Sequence, residues 1–569
     1  MRQMKTTMAA VVSTAFLLAP TLTTQAAVTV KPEGAPLSVN ELARYDSESG
    51  EGGSEILAYD PYMGQAYVTN GAKKALDLVD FSTLASNKSK TLSPTKRIKM
   101  KDLGLHHVKD VTSVATHPHA NFIAVSVVSD PKTDNGKVVF LDKQGHFLTD
   151  VTVGAQPDML TFNEDGSKLL VANEGEPSDD YAKDPEGSVS VIDLSHGPME
   201  AEVTDVPLKD APRDQGVRLN SKGSIAQQLE PEYITVQGDT AYVSLQENNA
   251  IAKLNLKTNK VDHIYAMGTK DHSLPQNALD VKKDGKANPE AMPLLGLYQP
   301  DGIQAVQIGN GSYIITANEG DTRDYEGYSE ESKIKDLKEK IGLKSTNYKG
   351  FSPSQLDKMI GNGLLDEIGD VKVSKEDGQK NGTYEALYTN GGRSFSILDA
   401  NTMKQVYDSG RDFERKTADL LPDVFNADST NLTVDDRSSA KGPEPENMQV
   451  GKVGERTYAF IGIERLSGIM VYDVTNPKAP TFAQFITGRD FSKNVKGDVS
   501  PEGLQFVEAK QSPTGHPLLF ATHEISGTVA VYEFQKATPE KHVNASDEKV
   551  SSAIIHNPHT DKRVAQKQP

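Results

Sequence analysis

The chain contains no cysteine and no tryptophan. Without thiols it can form no disulfide, offer no sulfur ligand and supply no cysteine nucleophile. Cationic side chains are in deficit: 61 Lys and Arg stand against 79 Asp and Glu, a net charge of −18. Such a surface repels nucleic acid and anionic membranes, so neither is an expected partner. No run beyond residue 20 is long and apolar enough to span a bilayer. There is no G-x-S-x-G elbow and no Walker-type phosphate loop. No spacing singles out a Ser or Thr nucleophile.

What the chain does have is an excess of carboxylates, 45 Gly and 30 Pro. Carboxylate oxygens are what hard divalent cations take as ligands, calcium above all. At the N-terminus, Arg2 and Lys5 precede an apolar stretch over 8–20, and Thr24-Gln25-Ala26 offers small residues for cleavage. This predicts a signal peptide over 1–26 and a secreted, extracellular chain. Stability must then come from core burial and bound metal.

A short β-like run recurs seven times, opening on an acidic residue and followed by a second run. Five openers sit beside proline: Gln156-Pro157-Asp158, Glu230-Pro231-Glu232, Gln299-Pro300-Asp301, Glu444-Pro445-Glu446 and Ser500-Pro501-Glu502. Their paired enders are Asn173-Glu174, Gln246-Glu247, Asn318-Glu319, Glu464-Arg465 and His523-Glu524. Two weaker copies open at Glu55 and Asp110. Self-similarity at tens of residues signals a propeller or solenoid. The third copy reads as four strands, at 159–162, 168–172, 188–194 and 201–208, bounded by turn residues. Its third strand recurs near residues 75, 137, 251, 394, 469 and 528. The expected fold is therefore all-β, a seven-bladed β-propeller over 37–534. The seventh unit lacks a fourth strand, and a spare strand lies at 37–44. An N-terminal strand should close the ring and cover an edge.

Residues 321–392 interrupt the fifth unit as a partly helical insertion, with helices expected over 332–341 and 352–360. Ser352 suits the cap and Pro353 the first turn of the second. Long polar connections run over 209–229, 266–298 and 409–443. The tail, 535–569, is polar and expected to be disordered.

Five blocks carry a family resemblance: Gly53-Ser54-Glu55-Ile56, Ala172-Asn173-Glu174-Gly175-Glu176-Pro177, Gln299-Pro300-Asp301-Gly302, Thr316-Ala317-Asn318-Glu319-Gly320-Asp321-Thr322-Arg323 and Ser500-Pro501-Glu502-Gly503-Leu504. Together they resemble the choice-of-anchor I domain family over about 37–534. The resemblance implies a secreted or surface β-propeller with a variable C-terminal anchor; no anchor is recognisable here. Some relatives carry alkaline phosphatase labels, and phytase-like propellers, by analogy, use calcium-rich acidic sites.

In a propeller the first strand of each blade lines the channel and starts at the face where the second strand ends. Openers and enders should therefore meet on one rim. The candidate metal ligands are Asp158, Glu174, Glu232, Glu247, Asp301, Glu319, Glu446, Glu464, Glu502 and Glu524. So many carboxylates cannot stay ionised together without a cation; Asn173 and Asn318 could add neutral ligands. The alternative is that each opener shapes strand entry or joins an ion-pair network. Arg323, Arg393 and Arg465 sit beside the rim, either binding an anion or neutralising neighbours. Candidate catalytic residues are Glu319, Arg465 and His523, although for His523 a polar rim residue is the preferred reading over a ligand or general acid. The cluster His106, His107, His117 and His119 looks metal-like, but His117-Pro118-His119 aligns with a turn at the opposite face and no Cys or H-E-x-x-H spacing accompanies it, which argues against zinc.

Two functions follow. One is a cation-dependent phosphoesterase acting on a small anionic or phosphorylated ligand, with the insertion as a lid. The other is a non-catalytic surface or matrix module with structural calcium. A monomer is the expected form.

Overall fold

The computed structural model describes residues 28–30, 36–84 and 90–537. The expected signal peptide and the tail beyond residue 537 lie outside them. Among the described residues, antiparallel sheets of four or more strands occur seven times along the chain. Most neighbours follow one another in the chain, but the sheet of Gly311–Asn318 takes its third strand from Ser394–Asp399, and that of Pro501–Val507 takes in Leu37–Asp46, which pairs parallel with Thr91–Leu92. Pro157–Phe162, Lys168–Asn173, Ser188–Asp193 and Glu202–Pro207 make one such sheet. The strands read as short apolar runs because both faces of the middle strands are covered. Lys168–Asn173 and Ser188–Asp193, for example, bury nearly every residue. Hydrophobic clusters lie between adjacent sheets; one joins Leu170, Val189 and Val191 to Ile234, Val243 and Ala252. The architecture is all-β with few helices.

Side chains on several first strands tie them to the next. Thr235 Oγ1 accepts from Ala305 N at 3.0 Å, Gln304 Oε1 from Val450 N at 2.6 Å, and Gln505 Oε1 from Tyr59 N at 2.6 Å. The last of these joins the final sheet to the first. The chain ends meet as well: Leu37–Asp46 pairs antiparallel with Thr528–Lys536, from Leu37 opposite Lys536 to Asp46 opposite Thr528. The N-terminal strand thus completes the sheet of Pro501–Val507 and Leu518–His523.

The segment between Gly311–Asn318 and Ser394–Asp399 holds short strands and helices. The helix Pro353–Gly361 is capped by Ser352 in a reciprocal box with Gln355, with Pro353 in its first turn. The stretch expected as a helix over 332–341 is broken into the strand Glu331–Lys333, the helix Ile334–Leu337 and a 3-10 turn Lys338–Lys340. This segment shares a core with the 266–298 connection: Leu279, Val281, Met292 and Leu294 pack with Ile334, Leu364, Leu365 and Val373. That joint core is invisible in sequence because neither half has an apolar face sufficient by itself.

Candidate acidic site

A shared local geometry aims the openers. Register slips by one residue between Pro157 and Leu160, between Pro445 and Met448, and between Pro501 and Leu504. Each slip is a β-bulge holding the acidic residue, and a bulge re-aims its side chain. At the other two openers the backbone bonds alike: Glu232 N donates to Ser244 O while Ser244 N donates to Tyr233 O, and Asp301 N donates to Ala317 O while Ala317 N donates to Gly302 O. Before four of the prolines the chain turns left-handed, with φ of +47° at Gln156, +49° at Gln299, +52° at Glu444 and +68° at Ser500. Such non-glycine conformations cost on the order of 1–3 kcal/mol each and recur here at the mouth of the site.

The result is a cavity of about 400 Å³. Its wall includes Glu55, Asp158, Glu174, Glu232, Asp301, Glu319, Asp321, Glu446, Glu464, Glu502 and Glu524. Nine of the ten expected ligands thus come together from across the chain. The exception is Glu247. The other enders occupy the position just after the second strand, as Glu174 follows Lys168–Asn173 and Glu319 follows Gly311–Asn318. After Thr240–Leu245 that position is Gln246, which lines the cavity in its place.

His523 is a second correction. It is the last residue of Leu518–His523, is buried, and is not among the cavity-lining residues. Strand alternation sends Glu524 to the cavity and His523 into the sheet, where burial lowers its pKa. Asn173 and Asn318 turn away from the cavity for the same reason. Asn173 Nδ2 donates to Ser188 and Ser190 Oγ, and Asn318 Nδ2 to Ser394 and Ser396 Oγ. Neither amide is a cavity ligand.

Of the three arginines, Arg465 lines the cavity and pairs with Glu444 and Glu464, both at 2.9 Å. Arg323 is buried against Glu230 at 2.8 Å and Glu330 at 3.3 Å. Arg393 is buried against Glu414 at 2.7 Å and donates to the carbonyls of Asp280, Ser438 and Ala440. Both neutralise neighbours. His117 Nδ1 accepts from His119 N and Ala120 N, which makes it a turn-capping residue.

Lys441, from the connection before the sixth sheet, also lines the cavity. It lies 3.1 Å from Asp321 and 3.3 Å from Glu319. Sequence reading missed it because nothing in its loop repeats. Burial and neighbouring carboxylates raise the acids: Asp158 to about 7, with Glu176 and Asp110 adding to burial, and Glu55 to about 9, with Asp110 and Glu524 adding. Burial carries Glu319 to about 7 and Glu464 to about 8, against the opposing pull of Lys441 and Arg465 respectively. Glu232, Asp301, Glu446 and Glu502 move well upward for the same reasons. For Glu444 burial is outweighed by Lys441, Arg465 and Arg437, which hold it at about 2.

Asp301, Glu319 and Glu446 each present an oxygen within 4.8 Å of the others, and so do Glu319, Glu444 and Glu464. Oxygens on a sphere of about 2.4 Å radius, the calcium–oxygen distance, are separated by no more than about twice that. Among the described residues neither Asp301 nor Glu446 forms an ion pair, and the buried Oδ2 of Asp301 has no hydrogen-bond partner. A hard cation fits this first triad.

The chain belongs to the choice-of-anchor I domain family, whose model matches residues 55–477. It is 34% identical over 181 residues to Gigasin-3a of Magallana gigas, covering 29% of this chain and 64% of that protein. It is 28% identical over 197 residues to a mesenchyme-specific cell surface glycoprotein of Strongylocentrotus purpuratus, covering 31% of this chain and 23% of that one. The chain thus spans less than two thirds of either relative. Among solved structures, Kuenenia stuttgartiensis hydrazine synthase aligns with a TM-score of 0.40 at 13% identity, covering 84% of this chain and 95% of that one. The Cps50 (Swd1) β-propeller domain of Myceliophteria thermophila aligns with a TM-score of 0.41 at 7% identity, covering 88% and 100%. Among the described residues no helix is long and apolar enough to cross a membrane.

Proposed function

We propose that this choice-of-anchor I chain is an extracellular, seven-bladed β-propeller whose cavity holds a hard divalent cation, calcium, and presents it to a small phosphorylated ligand. The observation that carries the reading is the triad Asp301, Glu319 and Glu446, with the unpartnered Asp301 oxygen among them. Asp158, Glu174, Glu232, Glu464, Glu502 and Glu524 supply the surrounding negative field. Arg465 and Lys441 are the cationic side chains of the wall, suited to hold phosphate oxygens against the cation. As an enzyme, the protein would hydrolyse a phosphomonoester. Asp301, Glu319 and Glu446 would hold the cation, which would polarise a phosphoryl oxygen; a wall carboxylate would take the proton of the attacking water and return it to the leaving alkoxide, giving inorganic phosphate and the alcohol. The segment over 321–392 contributes Asp321 to the wall, which supports reading it as a lid.

A second reading, a non-catalytic surface module with structural calcium, draws on the cell-surface glycoprotein among the relatives. One experiment separates them: metal analysis of the purified protein, then phosphomonoester turnover with and without chelator. Bound calcium with chelator-sensitive turnover supports the enzyme. Bound calcium without turnover supports the binding module. Absence of any divalent cation at saturating calcium contradicts both.

A further inference from the structure

Two carboxylate cages share Glu319. The first is Asp301, Glu319 and Glu446; the second is Glu319, Glu444 and Glu464. Their oxygens satisfy the same spacing, yet Glu319 and Glu444 of the second already face a positive charge. Lys441 Nζ sits 3.3 Å from Glu319, 3.1 Å from Asp321 and 3.6 Å from Glu444. Ammonium–carboxylate bonds usually measure about 2.7–2.9 Å. An ammonium spread among three longer contacts resembles an ion in a cage more than a member of one pair. Arg437 and Arg465 grip Glu444, and Arg465 also holds Glu464.

We propose that Lys441 is a built-in second cation, its ammonium set against Glu319 and Glu444 of the second of two adjoining carboxylate cages in place of a divalent ion. The inference rests on the first cage being a cation site. The shared Glu319 then bridges an exchangeable ion and a fixed ammonium, as a carboxylate bridges two ions in a two-metal centre. The fixed charge sets the capacity of the cavity at one ion. It also leaves a paired positive centre whose two halves suit two oxygens of one phosphate. Without the ammonium, the ion-pair partners of Glu319, Asp321, Glu444 and Glu464 among the described residues are Arg437 and Arg465. The excess of two negative charges equals the charge of one divalent cation.

The test counts calcium bound per chain by equilibrium dialysis on the full protein and on Lys441→Met, Lys441→Ala and Lys441→Arg. The expected counts are one for the parent, two for the methionine and alanine variants, and one for the arginine variant. A methionine variant that keeps the parent's fold and binds one ion overturns the proposal. So does failure of both neutral variants to fold in millimolar calcium, because a divalent ion should replace the lost charge. If the parent binds none while Lys441→Met binds one, the first cage fails and the Lys441 assignment stands. If neither binds calcium, both fail.

Discussion

Gln246 Nε2 donates to Glu319 Oε2 at 2.6 Å, joining the ends of second strands from two neighbouring sheets. Gln246 holds the position where the other sheets place a carboxylate. It therefore satisfies a buried acid that another carboxylate would repel. Gln246→Glu should destabilise the cation-free protein by about 1–3 kcal/mol, the usual cost of a buried group left unsatisfied. Calcium should restore most of that loss in thermal melts. An unchanged melt without calcium would show that this hydrogen bond does not matter to the wall.

Arg323 is 1% exposed, as is Glu230, and Glu330 is fully buried. Arg323→Met leaves buried Glu230 without its guanidinium, while Glu330 keeps Arg218 at 2.6 Å. Breaking a buried pair from one side costs about 3–5 kcal/mol. Chemical denaturation should show a loss of that size, and a loss below about 1 kcal/mol would contradict the pairing.

How far the site could be read from sequence varies with the residue. Asp158, Asp301, Glu446 and Glu502 were legible because proline marks each strand entry, and the repeat puts like positions at like heights. Gln246 was not, because only the observed end of Thr240–Leu245 shows which of two adjacent residues faces inward. His523, Asn173 and Asn318 were misassigned for a related reason. One residue of register separates cavity from sheet, and no local composition records it. Closure by Leu37–Asp46 was legible from one missing strand and one spare. The joint core of Leu279, Leu294 and Leu365 was not, because it depends on contacts between distant segments.

The raised carboxyl groups set two opposing pH trends. Asp158 and Glu319 titrate near 7, Glu464 near 8 and Glu55 near 9, against about 4–4.5 in an unfolded chain. Without cation the folded state therefore binds more protons than the unfolded state over that interval. The stability these groups contribute is full below about pH 4 and is lost as pH rises through 7 to 9. Cation affinity rises over the same window, because protons compete for the same oxygens. Melts at pH 5, 7 and 9 should show a calcium-induced gain that widens with pH. A gain that shrinks would reverse the assignment.

His523 and Glu524 are neighbours with opposite fates. Glu524→Gln removes a wall carboxylate and should weaken calcium binding, whereas His523→Gln should leave the affinity unchanged within about twofold. Calorimetric titration of the two variants checks this. A larger loss in the histidine variant would put its imidazole back in the cavity.

The most direct test of a cation held by Asp301, Glu319 and Glu446 is a calcium titration of the parent protein beside Glu446→Gln. Among the described residues Glu446 has no cationic partner, so its loss should touch ion binding and little else. The parent should bind calcium saturably, and the variant should bind roughly tenfold or more weakly, within the range that loss of a site-supporting group produces in metal proteins. Equal affinity in the two proteins, with the fold of both intact, would contradict the account.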